Sequence, residues 1–297
     1  MTPAVLGVWL LTCGIWSTVW LFIKIGVRDV PPVTFAVFRL GAALLVLTPL
    51  TLARRTPLPK AGRDWLLIAA TGFVLLGVNY ALLNWGIQFI SSGLTAVLQA
   101  LTPAFGFVFA HVLLHDEKMT RLKALALLVG IAGVAVVFSH QLEVAGWRAL
   151  WGSIAVVAGS VCVAVAYVVM RRHGRHLNAA VVTAGQMLAA IGPLATYAVA
   201  VEGNMLDVRW TTASVTAVLY LALVGSIAGV WLNYWLLHRI GATRLLVMGL
   251  IEPLIAVVLG AIFLGERMTG WTLVGGACII VSVALVLDIF QRAPARL

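Results

Sequence analysis

Charge is scarce in this chain. Of its 297 residues only 10 % are charged, with ten acids against twenty Lys and Arg. Soluble domains run at about 25 % charged. With 62 % apolar residues besides, the chain cannot cover its apolar surface in water, so its solvent is a bilayer. Cysteine is scarce too. Cys13, Cys162 and Cys278 lie inside apolar segments with no paired spacing, which points to neither a disulfide nor a metal site. No basic region precedes the first apolar run, so a cleaved signal peptide is not expected. No GxxxxGK[ST] occurs, which argues against ATP-driven pumping by this chain alone. No span groups His, Asp, Glu or Ser as a nucleophile with its base or as a metal site, which argues against an enzyme and predicts no cofactor. Nor is there the filter loop or charged ring of a channel. The net charge of +10 has the size of a nucleic-acid footprint. The basic residues stand in short loops between apolar runs, however, which is a pattern of membrane topology, so no nucleic-acid partner is expected.

What is present is apolar length. Breaks at charged or Gly/Pro-rich steps divide the chain into ten spans of roughly 20 residues, enough to cross a bilayer. They cover about residues 3–25, 32–52, 65–86, 91–114, 122–138, 149–170, 179–200, 212–236, 241–263 and 271–289. The narrowest break, between the third and fourth, is Ile87 to Ile90. The expected fold is an all-α integral membrane bundle of ten helices.

The fourth span returns as the ninth. SSGLTAVLQALTPAFGFVFAHVLLHDEKMT, from Ser91 to Thr120, aligns with GATRLLVMGLIEPLIAVVLGAIFLGERMT, from Gly241 to Thr269. Trp85 falls on Trp235, Ile90 on Ile240 and Pro103 on Pro253; after a one-residue gap Glu117 falls on Glu266. A fainter trace sets Gly14 near Gly159, and Phe38-Arg39-Leu40 near Gly185-Gln186-Met187. The period is too long for a solenoid and divides the chain into two related halves, residues 1–140 and 149–290.

Orientation follows from Lys and Arg. With the N-terminus inside, fourteen fall in inner loops: Arg54, Arg55, Lys60, Arg63, Lys118, Arg121, Lys123, Arg171, Arg172, Arg175, Arg239, Arg244, Arg292 and Arg296. Five fall outside: Lys24, Arg28, Arg148, Arg209 and Arg267. That bias predicts cytoplasmic termini. Five spans per half then insert the two copies in opposite orientation, the pattern of secondary transporters that bind their cargo at the midplane between inverted repeats.

Four stretches carry a resemblance: GIWSTVWLFIKIG, PPVTFAVFRLGAALL, SSGLTAVLQALTP and IGATRLLVMGLIEPLIAVVLGAIFLGE. Over nearly the whole chain they resemble the EamA-domain exporters of the drug/metabolite transporter superfamily. The resemblance implies two tandem five-helix domains around a central cavity, alternating access, and export of small metabolites across a bacterial inner membrane by a monomer or weak homodimer embedded in lipid. The functional analogy drawn within the family is YddG-type export of aromatic and other neutral amino acids. A drug, a purine or a nucleotide sugar is the alternative cargo.

Several residues stand out within the spans. Glu252, before Pro253, is a carboxyl group at mid-span, suited to carrying a proton or facing a substrate amine; the plainer reading is a neutral group bonded to a neighbouring helix. Arg39 offers a two-pronged contact to a substrate carboxylate, or else snorkels to the interface. Pro103 and Pro253 remove backbone donors and predict kinks. Trp16, Ser17, Asn79, Tyr80, Asn84, Gln99, Tyr167, Gln186, Asn233 and Tyr234 are candidates to line a cavity, each equally well read as an interhelical hydrogen-bonding group. Trp65, Trp147, Trp151, Trp210 and Trp271 stand at span ends as interface anchors, whereas Trp16 and Trp20 lie deeper. Glu117 and Glu266 are expected to be structural or gating, paired with Lys118 or Arg267 or neutralising a nearby loop. His111 and His115 lack the third ligand of a metal site. Gly225 with Gly229, and Ala256 with Gly260, are expected to let helices approach closely.

Overall fold

The computed structural model describes residues 2–53, 56–113, 121–144, 146–229, 231–232, 235–236, 239–240, 248–267 and 269–292. Its elements are α1 (Pro3–Asp29), α2 (Pro32–Ala53), α3 (Gly62–Gly86), α4 (Ser92–Gln99), α5 (Thr102–Leu113), α6 (Arg121–Val144), α7 (Gly146–His173), α8 (Ala179–Glu202), α9 (Thr212–Ala228), α10 (Met248–Leu264) and α11 (Gly270–Arg292). No strand occurs among the described residues. Six stretches are long and apolar enough to cross a membrane: α1, α2, α3, α4 with α5, α7 and α8. Shorter apolar stretches cover Ala124–Phe138, Thr212–Ala228, Ile251–Leu264 and Gly270–Leu285. Six expected spans fall on the long stretches, and the described residues of the other four fall mostly on the shorter ones.

Pro103 breaks a helix as expected. It has no N–H to give the Gln99 carbonyl, so α4 stops at Gln99 and α5 restarts at Thr102. The Thr102 hydroxyl donates to the Gln99 carbonyl instead, at 2.7 Å. Pro253 differs: it is buried inside α10, which runs through it. Glu252 holds the place in that copy that Thr102 holds in the first.

The helix pairs reveal the duplication. α3 packs on α7 as α9 packs on α1, α3 on α8 as α9 on α2, and α5 on α7 as α10 on α1. Exchanging the halves maps these pairs onto each other. Three further pairs join equivalent helices, α2 with α8, α4 with α10 and α6 with α11, and all three are antiparallel. Glu202, the last residue of α8, meets Val33 and Thr34 at the start of α2. Glu266, just past α10, meets Ser92 at the start of α4. In α6 and α11, Ala126 meets Ser282 and Gly133 meets Gly275.

Small residues bring the backbones together. A Cβ on Gly133 would lie 2.6 Å from the Gly275 carbonyl, and one on Gly275 would lie 2.7 Å from that of Gly133. Gly86 and Gly152 make the same mutual approach between α3 and α7. Without a hydrophobic force between helices in lipid, such close packing is what holds them. Gly225 and Gly229 face Val19 and Ile15 of α1, as their spacing predicts.

Two features were not foreseen. Wide π turns occupy Phe73–Val78 in α3, Ala198–Glu202 in α8 and Leu221–Ala228 in α9. Those in α3 and α9 end at equivalent positions, Val78 and Ala228. Trp210 is also a correction. It is half-buried and packs edge-on against Phe38, with centroids 4.8 Å apart, in a core cluster. Trp65, Trp147, Trp151 and Trp271 are exposed at helix ends, as anchors should be.

Candidate functional site

Arg39 lies about 10 Å into α2, counting from Pro32 at 1.5 Å per residue. It does not snorkel: only 5 % of it is exposed. Its guanidinium lies over the Tyr80 ring of α3, 4.9 Å from the centroid. No ion pair joins it to an acid among the described residues, Glu252 included, and its Nε is buried without a hydrogen-bond partner. Such burial costs several kcal/mol unless something completes the shell.

The other orphaned atoms lie close by in sequence and on α3. Asn84, one turn beyond Tyr80 on the same face, is 1 % exposed and lacks a partner for both its Nδ2 and its Oδ1. Asn79 donates to the Leu75 carbonyl, but its Oδ1 is unpartnered. Buried side-chain atoms are nearly always paired. Here all four exceptions among the described residues fall on Arg39, Asn79 and Asn84.

Asn79 and Gln99 converge on Gly159 of α7. A Cβ there would lie 2.6 Å from Asn79 Oδ1 and 3.2 Å from Gln99 Nε2. Gln99 donates to the Val156 carbonyl. Arg39 and Tyr80 thus join α2 to α3, and Asn79 and Gln99 bring α3 and α4 together against α7.

The remaining expected residues scatter. Gln186 donates to the Thr71 hydroxyl at 3.0 Å and so ties α8 to α3. Ser17 is buried and donates to the Cys13 carbonyl within its own helix. Trp16 and Trp20 are half-buried against the core cluster of α1 and α9. Tyr167 is 61 % exposed on α7, outside the bundle interior. Glu252 is half-buried on α10, which packs along α1. Asn233, Tyr234, Glu117 and His115 lie outside the described residues, and His111 is exposed.

The profile of the EamA-like transporter family matches this chain twice, at residues 3–139 and 150–288. The chain belongs to the EamA-like transporter family, within the drug/metabolite transporter superfamily. It is 26 % identical to the uncharacterized transporter YoaV of Bacillus subtilis, over 98 % of this chain and 99 % of that one. It is 29 % identical to the uncharacterized inner membrane transporter YedA of Escherichia coli K12, over 92 % of this chain and 87 % of that one. A solved crystal structure 20 % identical to it superposes with a TM-score of 0.65 over 99 % of this chain and all of the other, which speaks to the fold alone.

In this EamA-like chain two carboxylates cap helix starts at one end of the bundle. The Glu202 carboxylate accepts from the N–H groups of Val33 and Thr34, at 2.9 and 2.8 Å, and from the Thr34 hydroxyl. The Glu266 carboxylate accepts from the Ser92 N–H at 2.8 Å and from its hydroxyl. Each satisfies donors left open at a helix start and meets its positive dipole end. Glu266 therefore caps α4 across the repeat instead of pairing with Arg267. A glycine at positive φ sits beside each: Gly203 at 96° and Gly265 at 64°. Asp29 accepts from the Thr211 hydroxyl at the same end. Glu202 was not foreseen; its signal, an acid next to glycine at a span end, is the one shared with Glu266.

A cavity of about 730 Å³ lies at that same end, at the side of the bundle. It opens between α2, α3 and α8, and none of the expected substrate residues lines it.

Proposed function

We propose that the protein is a secondary transporter that exports small metabolites by alternating access, with neutral amino acids, aromatic ones among them, as its cargo. The reading treats the chain as ten spans in two inverted halves, residues 1–140 and 149–290, around a shared central pocket, with both termini in the cytoplasm of a bacterium. The antiparallel pairing of equivalent helices supports the inversion. The relatives' names support transport and carry no cargo.

One observation carries the cargo: the unsatisfied buried polar atoms of Arg39, Asn79 and Asn84. A guanidinium donor and an amide Nδ2 suit a carboxylate. The Oδ1 atoms of Asn79 and Asn84 suit an ammonium. The Tyr80 ring and the apolar helices supply walls for a side chain. Trp16, Gln99 and Glu252 complete the pocket in this reading, with Glu252 carrying a proton. Transport is tested with purified protein in liposomes and a panel of labelled amino acids. Saturable movement of neutral amino acids, with aromatic ones competing, is the expected result. Movement of a purine or a sugar nucleotide, with none of any amino acid, overturns the cargo and leaves the fold standing.

A further inference from the structure

The lateral cavity has the form of a lipid site. Pro32, Gln88 and Glu202 mark one end of it, level with the ends of α2, α3 and α8. Phe73 lies thirteen residues before the end of α3, and Pro193 nine before the end of α8. At 1.5 Å per residue the cavity therefore runs about 20 Å inward along α3 and about 14 Å along α8. Its walls over that depth are apolar, with Ala81, Leu82 and Leu194 among them. Its mouth faces outward from the bundle: Phe73, Tyr197 and Val201 are 45 %, 49 % and 63 % exposed. In a bilayer that mouth opens on hydrocarbon. The cleft is polar at headgroup depth, apolar beneath, and open sideways.

The headgroup follows from charge. Glu202 is the one charged residue among those lining the cavity, and no Lys or Arg joins it. Its bonds to Val33 and Thr34 fix its orientation. A carboxylate has about four acceptor positions, so it can still take an N–H donor. The cation nearby, Lys24 on the Gln88 carbonyl, is engaged by the carbonyls of Ile87, Gln88 and Ile90 and does not line the cleft. The π turns of α3 and α8 both border the cleft, through Phe73, Gly77 and Val78 and through Val201 and Glu202. Wide turns of this kind recur at functional sites.

We propose that this cleft holds one phospholipid with a primary-ammonium headgroup, its chain between α3 and α8 and its ammonium against Glu202. The site does not depend on which cargo the protein carries. Native mass spectrometry tests it on the full chain in detergent doped equally with phosphatidylethanolamine and phosphatidylglycerol. One phosphatidylethanolamine is expected to stay bound, with a roughly fivefold preference over phosphatidylglycerol. Ala81→Phe fills the cleft and should remove the adduct. Val201→Trp, at the exposed mouth, serves if Ala81→Phe does not fold. Glu202→Gln should bring the two lipids toward parity. Equal retention of both lipids by the unaltered protein overturns the headgroup assignment. An adduct unchanged in both cleft variants overturns the site. Capture of tryptamine with no retained phospholipid assigns the cleft to apolar amines and overturns the proposal.

Discussion

Lys24 and Glu266 hold the two sides of one turn. The Lys24 ammonium, at the end of α1, donates to the carbonyls of Ile87, Gln88 and Ile90, where α3 has finished. Glu266, past the end of α10, accepts from Ser92, where α4 begins. A cation stands at the negative end of one helix dipole and an anion at the positive end of the next. Residues far apart in the chain thus fasten the narrowest loop between two spans. Glu266→Ala should destabilise the protein by about 1–3 kcal/mol, because it strands buried backbone donors. Glu266→Gln should cost less, and Arg267→Ala, at an exposed neighbour, close to nothing. Thermal unfolding in detergent reads all three; an unaltered midpoint for both Glu266 variants would remove the cap from the account.

Gly203 and Gly265 turn the chain beside Glu202 and Glu266 at positive φ. Alanine at either should lower stability by about 1 kcal/mol or more, since a side chain strains that backbone. Gly192→Ala is the control. It lies within α8 with nothing within 4 Å of an added Cβ, so it should be neutral or mildly stabilising. If all three variants unfold alike, positive φ is not what these turns require.

Arg39 sets stability against function. Replacing an unpaired buried charge by an apolar side chain of similar volume is often stabilising, by about 1–4 kcal/mol for buried ions. Arg39→Met should therefore unfold at a higher temperature while transport falls at least about tenfold, through loss of the carboxylate contact. A variant that melts lower and transports normally would show that Arg39 serves the fold instead.

Glu252 has no hydrogen bond or ion pair to another described residue. A carboxyl group at that depth is costly unless it exchanges protons or meets a ligand. Glu252→Gln should change the rate of transport or flatten its dependence on pH between about 5 and 8. Rates that match the unaltered protein throughout that range would take Glu252 out of the mechanism.

Impermeant thiol labelling of cysteines placed at the two chain ends checks orientation. Both should be protected in intact cells and reactive after lysis. Labels on opposite sides of the membrane would end the inverted-repeat reading.

Much of the fold was legible beforehand. The described residues of the apolar spans are almost all helical, because the bilayer sets a length and leaves the backbone no other partner than itself. Pro103 was legible as a break, since a missing N–H is a local fact. The site was legible only as a set of residue types. Arg39 with Tyr80, and Asn79 with Gln99, prove to be neighbours, whereas Tyr167 lies on the outside and Gln186 is taken by Thr71. These helices are apolar all round, so periodicity does not mark an inner face as it does in a soluble helix.

The sequence by itself determined the solvent, the spans, the duplication and the family, because composition and self-similarity are properties of the chain read along its length. Only the tertiary structure decided that Glu202 and Glu266 close helices in the other half, that Arg39 has no acid beside it among the described residues, and that a cleft opens beside α3. The physical reason is reach: a charged side chain acts over a few ångströms, and which helix end falls within that distance depends on how the backbones pack, through contacts such as Gly133 on Gly275.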